Sequence, residues 1–208
     1  MAALQGSLFV TGAQAGPRPL GVEVERTALA DGAWVDLRRS WVEGADDLFV
    51  RLMDSVPWQA QRRTMYDRMV DVPRLVSFFD EGSDAADPVL TQCGRALGRH
   101  YLPELGEPFS TLGLCLYRNG DDSVAWHGDT IGRGAVVDTV VAIVSLGATR
   151  SFLLRRSAGG RSIRFELASG DLLVMGGSCQ RTWQHAVPKT RRPVGPRISA
   201  QFRPRGVR

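Results

Sequence analysis

Residues 139–156, "TVVAIVSLGATRSFLLRR", contain two runs of β-branched and apolar residues on either side of a glycine. Residues of this kind favour the pleated, half-buried surface of a sheet, and a glycine between two such runs marks a turn. The segment therefore predicts two consecutive β-strands joined by a tight connection.

The same pattern extends to both sides of this segment. After residue 108 the chain consists of short β-branched or alternating runs separated by Gly, Asn or Asp. The runs are "STLGLCLYRNG", "SVAWHGD", "TVVAIVSLG", "RSFLLRR", "RSIRFEL", "DLLVMGG", "RTWQHAV" and "PRISAQFR". Eight strands at this close spacing favour a double-sheet jelly roll or a similar barrel. The predicted fold class is α+β, mainly β, with a jelly-roll core (a double-stranded β-helix) over residues 108–208.

Residues 1–107 predict a mixed α/β lobe ahead of that core. Strands are expected at "SLFV", "VEVERTALA" and "WVDLRRSW", which are separated by glycine-rich or "ADG" breaks. We see neither an internal repeat nor a low-complexity linker, so lobe and core are expected to form one compact unit.

Two helices are predicted within the lobe. "GADDLFVRLMDSVPW" has apolar residues at helical spacing, with Asp46 or Asp47 as its cap and Pro57 at its end. "DPVLTQCGRALGRHYLPEL" predicts a second helix, with Pro88 in the first turn and Pro103 as its stop.

The composition indicates an ordinary globular protein of one sizeable domain. The chain has 208 residues, of which 43% are hydrophobic and 23% charged. The first sixteen residues lack both a basic segment and a long apolar run, so we expect neither a signal peptide nor a membrane span. Three cysteines without a CxxC spacing argue against a disulfide framework and for a reducing compartment. We expect a cytoplasmic monomer.

The positive charge lies almost entirely on arginine. The formal net charge is +4, and arginines cluster in "QRRTMYDR", "LLRR", "TRRPVGPR" and "RPRGVR". One interpretation is a codon-usage bias combined with a solvated surface. The other is a surface that faces phosphate, because guanidinium groups bind phosphate in bidentate geometry. The charge alone does not decide between them.

The segment "SVAWHGDT", residues 123–130, places His127 and Asp129 two residues apart. On a strand, positions i and i+2 point to the same face. His185 follows 56 residues later on another predicted strand. Two histidines and one carboxylate match the facial triad that binds non-haem Fe(II), whereas structural zinc prefers four ligands rich in cysteine. The alternatives are a surface pair on a strand and a histidine buried in the core.

The segment "PRISAQFRP" carries Arg197 and Arg203 on one face of a predicted strand, with Ser199 and Gln201 between them. Six residues of strand span roughly 20 Å, so the two side chains cannot clamp one carboxylate but can approach opposite ends of a dicarboxylate. The alternative is an edge strand with solvated arginines.

Residues 108–205 resemble the AlkB family of Fe(II)/2-oxoglutarate dioxygenases, which are oxidative dealkylases of nucleic acids. The resemblance rests on "LYRNGDDSVAWHGD", "AIVSLGATRSFLLR", "GDLLVMGGSCQRTWQHAVPK" and "PRISAQFR", in the family's order. The upstream "MVDVPRLVSFF" resembles the segment that precedes the family's nucleotide-recognition lid.

The resemblance implies a complete catalytic set. The iron ligands would be His127, Asp129 and His185. Arg197 would pair with the distal carboxylate of 2-oxoglutarate, Arg203 would lie toward the metal, and Tyr117 would offer its hydroxyl to the co-substrate. Ser199 stands where an asparagine often lies within the arginine pair. The implied reaction uses Fe(II), 2-oxoglutarate and O2 to hydroxylate an N-alkyl carbon, which leaves as an aldehyde while 2-oxoglutarate becomes succinate.

The departures from the family concern the substrate more than the reaction. Many relatives have an asparagine where this chain has Cys115, and acidic residues where it reads "TIGRG" after the aspartate. The lid "FFDEGSDAADP" is short. An extruded or single-stranded base would stack on aromatic side chains, and the candidates are Trp58, Tyr66, Phe78 and Phe79.

We therefore predict an oxygenase that repairs alkylated DNA or RNA, with single strands preferred and no membrane partner. One alternative is a hydroxylase of the same fold acting on a protein or small molecule. A second is a non-catalytic jelly-roll module that binds nucleic acid through its arginines.

Overall fold

A computed structural model describes residues 15–65, 68–80 and 86–207. The strands, in chain order, are β1 (Gly16–Pro17), β2 (Glu25–Ala28), β3 (Ala33–Arg38), β4 (Val42–Glu43), β5 (Gln59–Met65), β6 (Arg68–Phe79), β7 (Thr111–Tyr117), β8 (Val124–His127), β9 (Val141–Gly147), β10 (Arg150–Arg156), β11 (Ile163–Leu167), β12 (Leu172–Gly177), β13 (Trp183–Val187) and β14 (Arg197–Arg203). The α-helices are α1 (Ala45–Ser55), α2 (Pro88–Leu105) and α3 (Cys179–Thr182). Short 3-10 turns occur at Gly21–Glu23, Ala30–Gly32 and Arg133–Ala135.

Two antiparallel sheets face each other. The major sheet has eight strands in the order β2-β3-β12-β9-β14-β7-β6-β5, and the minor sheet has four in the order β11-β10-β13-β8. All eight runs predicted after residue 108 are strands, four in each sheet. The predicted jelly-roll core is confirmed.

Strands from the N-terminal segment extend both edges of the major sheet. β3 pairs with β12 at one side, and β6 pairs with β7 at the other. The predicted strand "SLFV" lies outside the described residues. The division of the chain at residue 108 stays a prediction, but the two segments share one hydrogen-bonded sheet.

The hairpin of β5 and β6 has no counterpart in the strand predictions. Its sequence lacks a clear alternation, and Pro73 interrupts it, which argues against a strand. In the structure Pro73 lies where the register shifts between Ala60 and Arg62, at a bulge that tolerates a residue without an amide donor.

Helix α1 does not begin as predicted. Its N-cap is Gly44, with a positive φ of 69°, and a Cβ there would come within 2.8 Å of the Ala15 Cβ atom. Asp46 and Asp47 lie instead in the first turn, where their charges favourably face the positive end of the helix dipole. The predicted end before Pro57 is confirmed.

Helix α2 passes through Pro103, so the prediction that this proline stops the helix is wrong. A proline so close to the C-terminal end removes a single intrahelical hydrogen bond, and the helix ends normally at Gly106 in the left-handed conformation. At the other end the Asp87 side chain accepts a hydrogen bond of 2.8 Å from the Val89 amide.

The major sheet separates two hydrophobic clusters. Alternate residues of β7 show this division, because Leu114 and Leu116 join the cluster under α1 and α2, whereas Cys115 and Tyr117 join the cluster between the sheets. Polar residues on the inter-sheet face are therefore enclosed by both sheets, and they form the site described below.

The cysteines Cys93, Cys115 and Cys179 lie within the described segments, where each is buried and free. Of the helices in those segments, none combines the length and apolar character needed to cross a membrane.

Candidate active site

The two histidines of the predicted triad lie on neighbouring strands of the minor sheet. His127 ends β8 and pairs in register with His185 of β13, and their ring centroids are 4.2 Å apart. Together with Asp129 they offer ligand atoms that all lie within 4.8 Å of one another. The structure thus brings the three predicted ligands together in one cluster.

Asp129 reaches this cluster by a different route from the one predicted. The sequence suggested a strand running through both residues, but β8 ends at His127. The Asp129 amide donates to Gln180 Oε1 at 2.9 Å, which fixes the backbone just beyond the strand. A Cβ at Gly128 would approach the Gln180 carbonyl oxygen to 2.4 Å, so glycine is required between the two ligands.

Neighbouring groups orient both imidazoles. His127 Nδ1 lies 2.8 Å from the Ala125 carbonyl oxygen, which assigns the proton to Nδ1 and leaves Nε2 for a metal. The ring of His185 stacks on Phe152, with centroids 5.4 Å apart. The histidine tautomer and ring planes are therefore set before any metal binds.

Arg203 lies at the metal end, as the resemblance implies. Its Nε donates to Asp129 Oδ2 at 2.6 Å, and its Nη2 donates to Gln201 Oε1 at 2.6 Å. This guanidinium therefore holds a ligand carboxylate in place.

The protonation states suit a divalent cation. Burial alone would raise the pKa of Asp129, but the charge of Arg203 holds it well below its usual value. Burial, reinforced by His127, lowers the pKa of His185 to about 3, and burial also lowers the pKa of His127. At neutral pH the cluster therefore holds one carboxylate and two neutral imidazoles, the states in which these groups bind metals.

Arg197 occupies the opposite end of the inter-sheet space. It is only 1% exposed, and its Nε donates to the Ser145 hydroxyl at 2.9 Å. Its Cζ lies 5.3 Å from the centre of the Tyr117 ring, and burial raises the pKa of this tyrosine to about 12. Arg197 Nη1 is buried and has no hydrogen-bond partner among the described residues.

Strand β14 connects the two ends. Its antiparallel register with β7 pairs Arg197 with Tyr117, Ser199 with Cys115, Gln201 with Gly113 and Arg203 with Thr111. Successive pairs on one face are about 7 Å apart. The same face of one strand thus runs from a buried, incompletely bonded guanidinium to the guanidinium that holds the metal-ligand carboxylate.

A cavity of about 510 Å³ lies between the sheets, and Tyr117, the pairing partner of Arg197, forms part of its wall. Tyr117, Ser199 and the three triad residues contribute to its wall, and Phe78 and Ile131 lie at its open side with exposures of 61% and 63%. The cavity is large enough for a co-substrate beside the triad and leaves an apolar opening toward solvent.

The predicted substrate aromatics have different positions. Phe78 lines the cavity, and Phe79 lies at its edge while packing against the cluster under the helices. Trp58 packs against that same cluster and is not among the cavity-lining residues described, so its predicted stacking role is not supported by its position. Tyr66 lies outside the described residues.

Several residues of the site were not predicted from the sequence. They are Gln180, Ser145, Ile131 and Arg74. Ser145 and Gln180 are buried polar residues, and no pattern in their local sequence marks either as part of a site. Arg74 lines the cavity from β6, in the hairpin that was not predicted.

The donor set fits iron and a dicarboxylate. Two histidines and one carboxylate leave positions open on one side of a metal, which suits non-haem Fe(II). Arg197 Nη1 is a buried donor that has no partner among the described residues. A ligand carboxylate would satisfy it.

Comparison with known proteins agrees with this chemistry. The family model of the 2OG-Fe(II) oxygenase superfamily matches residues 41–205, and the chain belongs to this family. Members use Fe(II), 2-oxoglutarate and O2, so the chain is a dioxygenase.

The more similar relatives place it with the AlkB-like members. Alpha-ketoglutarate-dependent dioxygenase alkB homolog 3 from Bos taurus is 31% identical over 212 residues, which cover 88% of this chain and 69% of the relative. The Homo sapiens protein of that name is 31% identical over 194 residues, covering 80% and 65%. DNA oxidative demethylase ALKBH2 from Bos taurus is 29% identical over 106 residues, covering 47% and 38%. The chain thus spans about two thirds of the alkB homolog 3 proteins.

A solved structure shares the fold. The structure of OsALKBH1 matches with a TM-score of 0.60 and 16% sequence identity, over 86% of this chain and 100% of that one.

The bound cofactors would supply the oxidation, by coupling decarboxylation of 2-oxoglutarate to oxygen insertion into a C–H bond. His127, Asp129 and His185 would hold the metal, and Arg197 would bind the distal carboxylate. The residues of the chain orient these groups and exclude water, because both sheets cover them.

Proposed function

We propose that this dioxygenase removes alkyl groups from damaged bases of DNA or RNA, preferably in single strands. The observation that carries the proposal is the opening of the cavity. Phe78 projects from the hairpin at this opening with 61% of its surface exposed, beside the triad pocket. An exposed aromatic ring at such a place suits a base removed from its stack.

The relatives support the same class of substrate. ALKBH2, to which about half of the chain is similar, is named a DNA oxidative demethylase. The net charge of +4, carried by arginine, supports affinity for phosphate, which contributes binding without reading sequence. A single strand is preferred in this proposal because an unpaired base costs little energy to unstack.

A direct assay tests the proposal. The purified protein is incubated with Fe(II), ascorbate, 2-oxoglutarate and a single-stranded oligonucleotide carrying 1-methyladenine or 3-methylcytosine. We expect the oligonucleotide to lose the mass of its methyl modification, more slowly in duplex than in single strand. Activity should fall steeply with added salt, since phosphate contacts release counterions.

A pair of variants examines the opening itself. Phe78→Ala should raise the KM for the oligonucleotide about tenfold, because one stacking contact is lost. Val22→Ala removes a fully exposed apolar side chain that is absent from the described cavity lining, and should leave KM unchanged. Equal KM values for both variants would refute the role of Phe78.

A second candidate is hydroxylation of a protein or small molecule. It is favoured by the apolar character of the loop after Asp129, where Ile131, Val136 and Val137 are all exposed. Consumption of 2-oxoglutarate with a peptide or metabolite, and none with any alkylated oligonucleotide, would establish this candidate and reject the first.

A further inference from the structure

Arg74 lies in the wall of the cavity at the end nearest the co-substrate residues. The register that pairs Val76 with Cys115 places Arg74, two residues earlier on the antiparallel strand, beside Tyr117. Val76 and Phe78, on the same face of β6, also line the cavity. Arg74 thus lies in the middle of β6, four residues before the exposed aromatic ring of Phe78 and on the same face of the strand.

Arg74 makes only weak hydrogen bonds to the described residues, one of them to the Cys115 sulfur. Its Nη1 makes one long contact, 3.4 Å, with the Ser123 carbonyl oxygen. Its Nε is buried and has no hydrogen-bond partner within the described segments. A buried guanidinium N–H without a partner carries a desolvation cost, which a ligand oxygen would relieve.

Arg74 keeps its positive charge in these surroundings and can therefore pair with an anion. Burial lowers its pKa, but Cys115, Tyr117 and Asp129 together raise it above the ordinary value. Among the carboxylates that line the cavity, Asp129 is already bound by Arg203, and Asp80 lies exposed at the mouth. The Cys115 sulfur accepts a hydrogen bond from Arg74 but is a weak acceptor, so a ligand oxygen would be a stronger partner for this guanidinium.

We propose that Arg74 is a further co-substrate residue, and that its guanidinium donates hydrogen bonds to 2-oxoglutarate in addition to those from Arg197. The fully buried guanidinium of Arg197 and the partly buried guanidinium of Arg74 then face one dianion, and each has a buried N–H that lacks a partner among the described residues. Because β6 also carries Phe78, the hairpin contacts the co-substrate at one end and the substrate opening at the other. The assignment rests on the dioxygenase family and does not depend on the nature of the substrate.

Calorimetric titration of 2-oxoglutarate tests the proposal without turnover. The full chain is loaded with Mn(II), which replaces iron without oxidising the ligand, and no nucleic acid is added. We expect Arg74→Gln to raise the Kd for 2-oxoglutarate about tenfold, as expected for losing a charge-assisted hydrogen bond. The matched control Arg164→Gln removes a mostly exposed arginine of β11 and should leave this Kd unchanged.

Two further variants make the result specific. Arg74→Lys keeps the charge but not the planar fork, so 2-oxoglutarate should raise its melting temperature less than that of the parent protein. Adding Cys115→Asn to Arg74→Gln supplies an amide donor at the neighbouring position and should recover part of the lost affinity.

An unchanged Kd in Arg74→Gln, with a normal melting curve, would overturn the proposal. So would normal 2-oxoglutarate stabilisation of Arg74→Lys, or weaker oligonucleotide binding with unaltered 2-oxoglutarate binding. A double variant no better than Arg74→Gln would show that the two positions do not serve one subsite. Failure of the demethylation assay bears only on the substrate, since these titrations contain none.

Discussion

The two ends of the cavity differ in how fully their polar groups are bonded. At the metal end, Asp129 accepts from Arg203 and its amide donates to Gln180, while His127 bonds the Ala125 carbonyl. At the co-substrate end, Arg197 keeps a buried N–H without a partner in the described residues. The metal end is organised by the protein alone, whereas the other end retains donors for a ligand.

This difference separates two kinds of contribution. Groups at the metal end gain their geometry from neighbouring side chains, so changing a neighbour should weaken metal binding. Groups at the co-substrate end gain partners only when the ligand arrives, so changing them should alter ligand affinity with little effect on the metal. The predictions below test this separation, beginning with the largest effect.

Removing a metal ligand should have the largest effect. We expect each of the variants His127→Ala, Asp129→Ala and His185→Ala to abolish turnover and anaerobic Fe(II) binding. The site offers three protein ligands, and two of them would not hold the metal. Circular dichroism should show a retained fold. The matched control is His100→Ala, which alters an exposed histidine of α2. A variant that turns over normally would remove its residue from the ligand set.

Changing the guanidinium behind the ligand carboxylate should have the next largest effect. Arg203→Met should lower Fe(II) affinity by about 10- to 100-fold, since Asp129 loses the group that orients it. Metal titration monitored by fluorescence measures this change. If the affinity for iron were unaltered and only 2-oxoglutarate bound more weakly, the contrast between the two ends would fail.

The metal end should also make the metal-free protein sensitive to acid. His185 has a pKa of about 3 when folded and an ordinary value of 6.5. Between these values the unfolded chain binds the proton and the folded chain does not, so stability falls as pH is lowered from 6.5. From pH 7 to pH 5 the free energy of unfolding should fall by about 2 kcal/mol through this residue.

Urea unfolding in the presence of a chelator measures this dependence. His185→Asn lacks this contribution. Its free energy of unfolding should therefore fall by about 2 kcal/mol less than that of the parent protein between pH 7 and pH 5. His100→Ala serves again as the control and should keep the parent slope. Parallel slopes for the parent protein and His185→Asn would contradict the neutral state of this imidazole.

A substitution at the co-substrate end should change the affinity for 2-oxoglutarate and leave the affinity for iron unchanged. Arg197→Lys should raise the Kd for 2-oxoglutarate about tenfold, because an ammonium cannot reproduce the planar fork of a guanidinium. The affinity for iron should stay the same. Arg192→Lys, on an exposed loop, is the control. An unaltered titration with 2-oxoglutarate would defeat the assignment of Arg197.

The strands after residue 108 were predictable because their patterns are local. Runs such as "TVVAIVSLG" show β-branched residues and clear breaks, and in β9 six of the seven residues are buried. The β5–β6 hairpin was not predictable in this way, because its strand conformation depends on pairing with β7 and on a bulge at Pro73. The strand conformation of such segments is determined by pairing with residues distant in the sequence, and their own residue pattern does not reveal it.

The same distinction applies to the site. His127, Asp129, His185 and Arg197 are marked by residue type and spacing. The structure places the first three around one cavity and Arg197 behind the cavity residue Tyr117, with which it pairs. Gln180 could not be recognised, because its contact with the Asp129 amide joins residues 51 positions apart through the short helix α3. Likewise, the position of Arg74 beside Tyr117 follows only from the pairing of β6 with β7.

Strand β14 also has a consequence for the choice of co-substrate. Its backbone is hydrogen-bonded on both sides, to β7 and to β9, so the sheet fixes the distance between Arg197 and Arg203. A co-substrate that binds both the metal cluster and Arg197 would have to match this fixed spacing. We therefore expect a keto diacid one carbon shorter or longer than 2-oxoglutarate to bind more weakly, because the sheet sets the spacing that the ligand has to match.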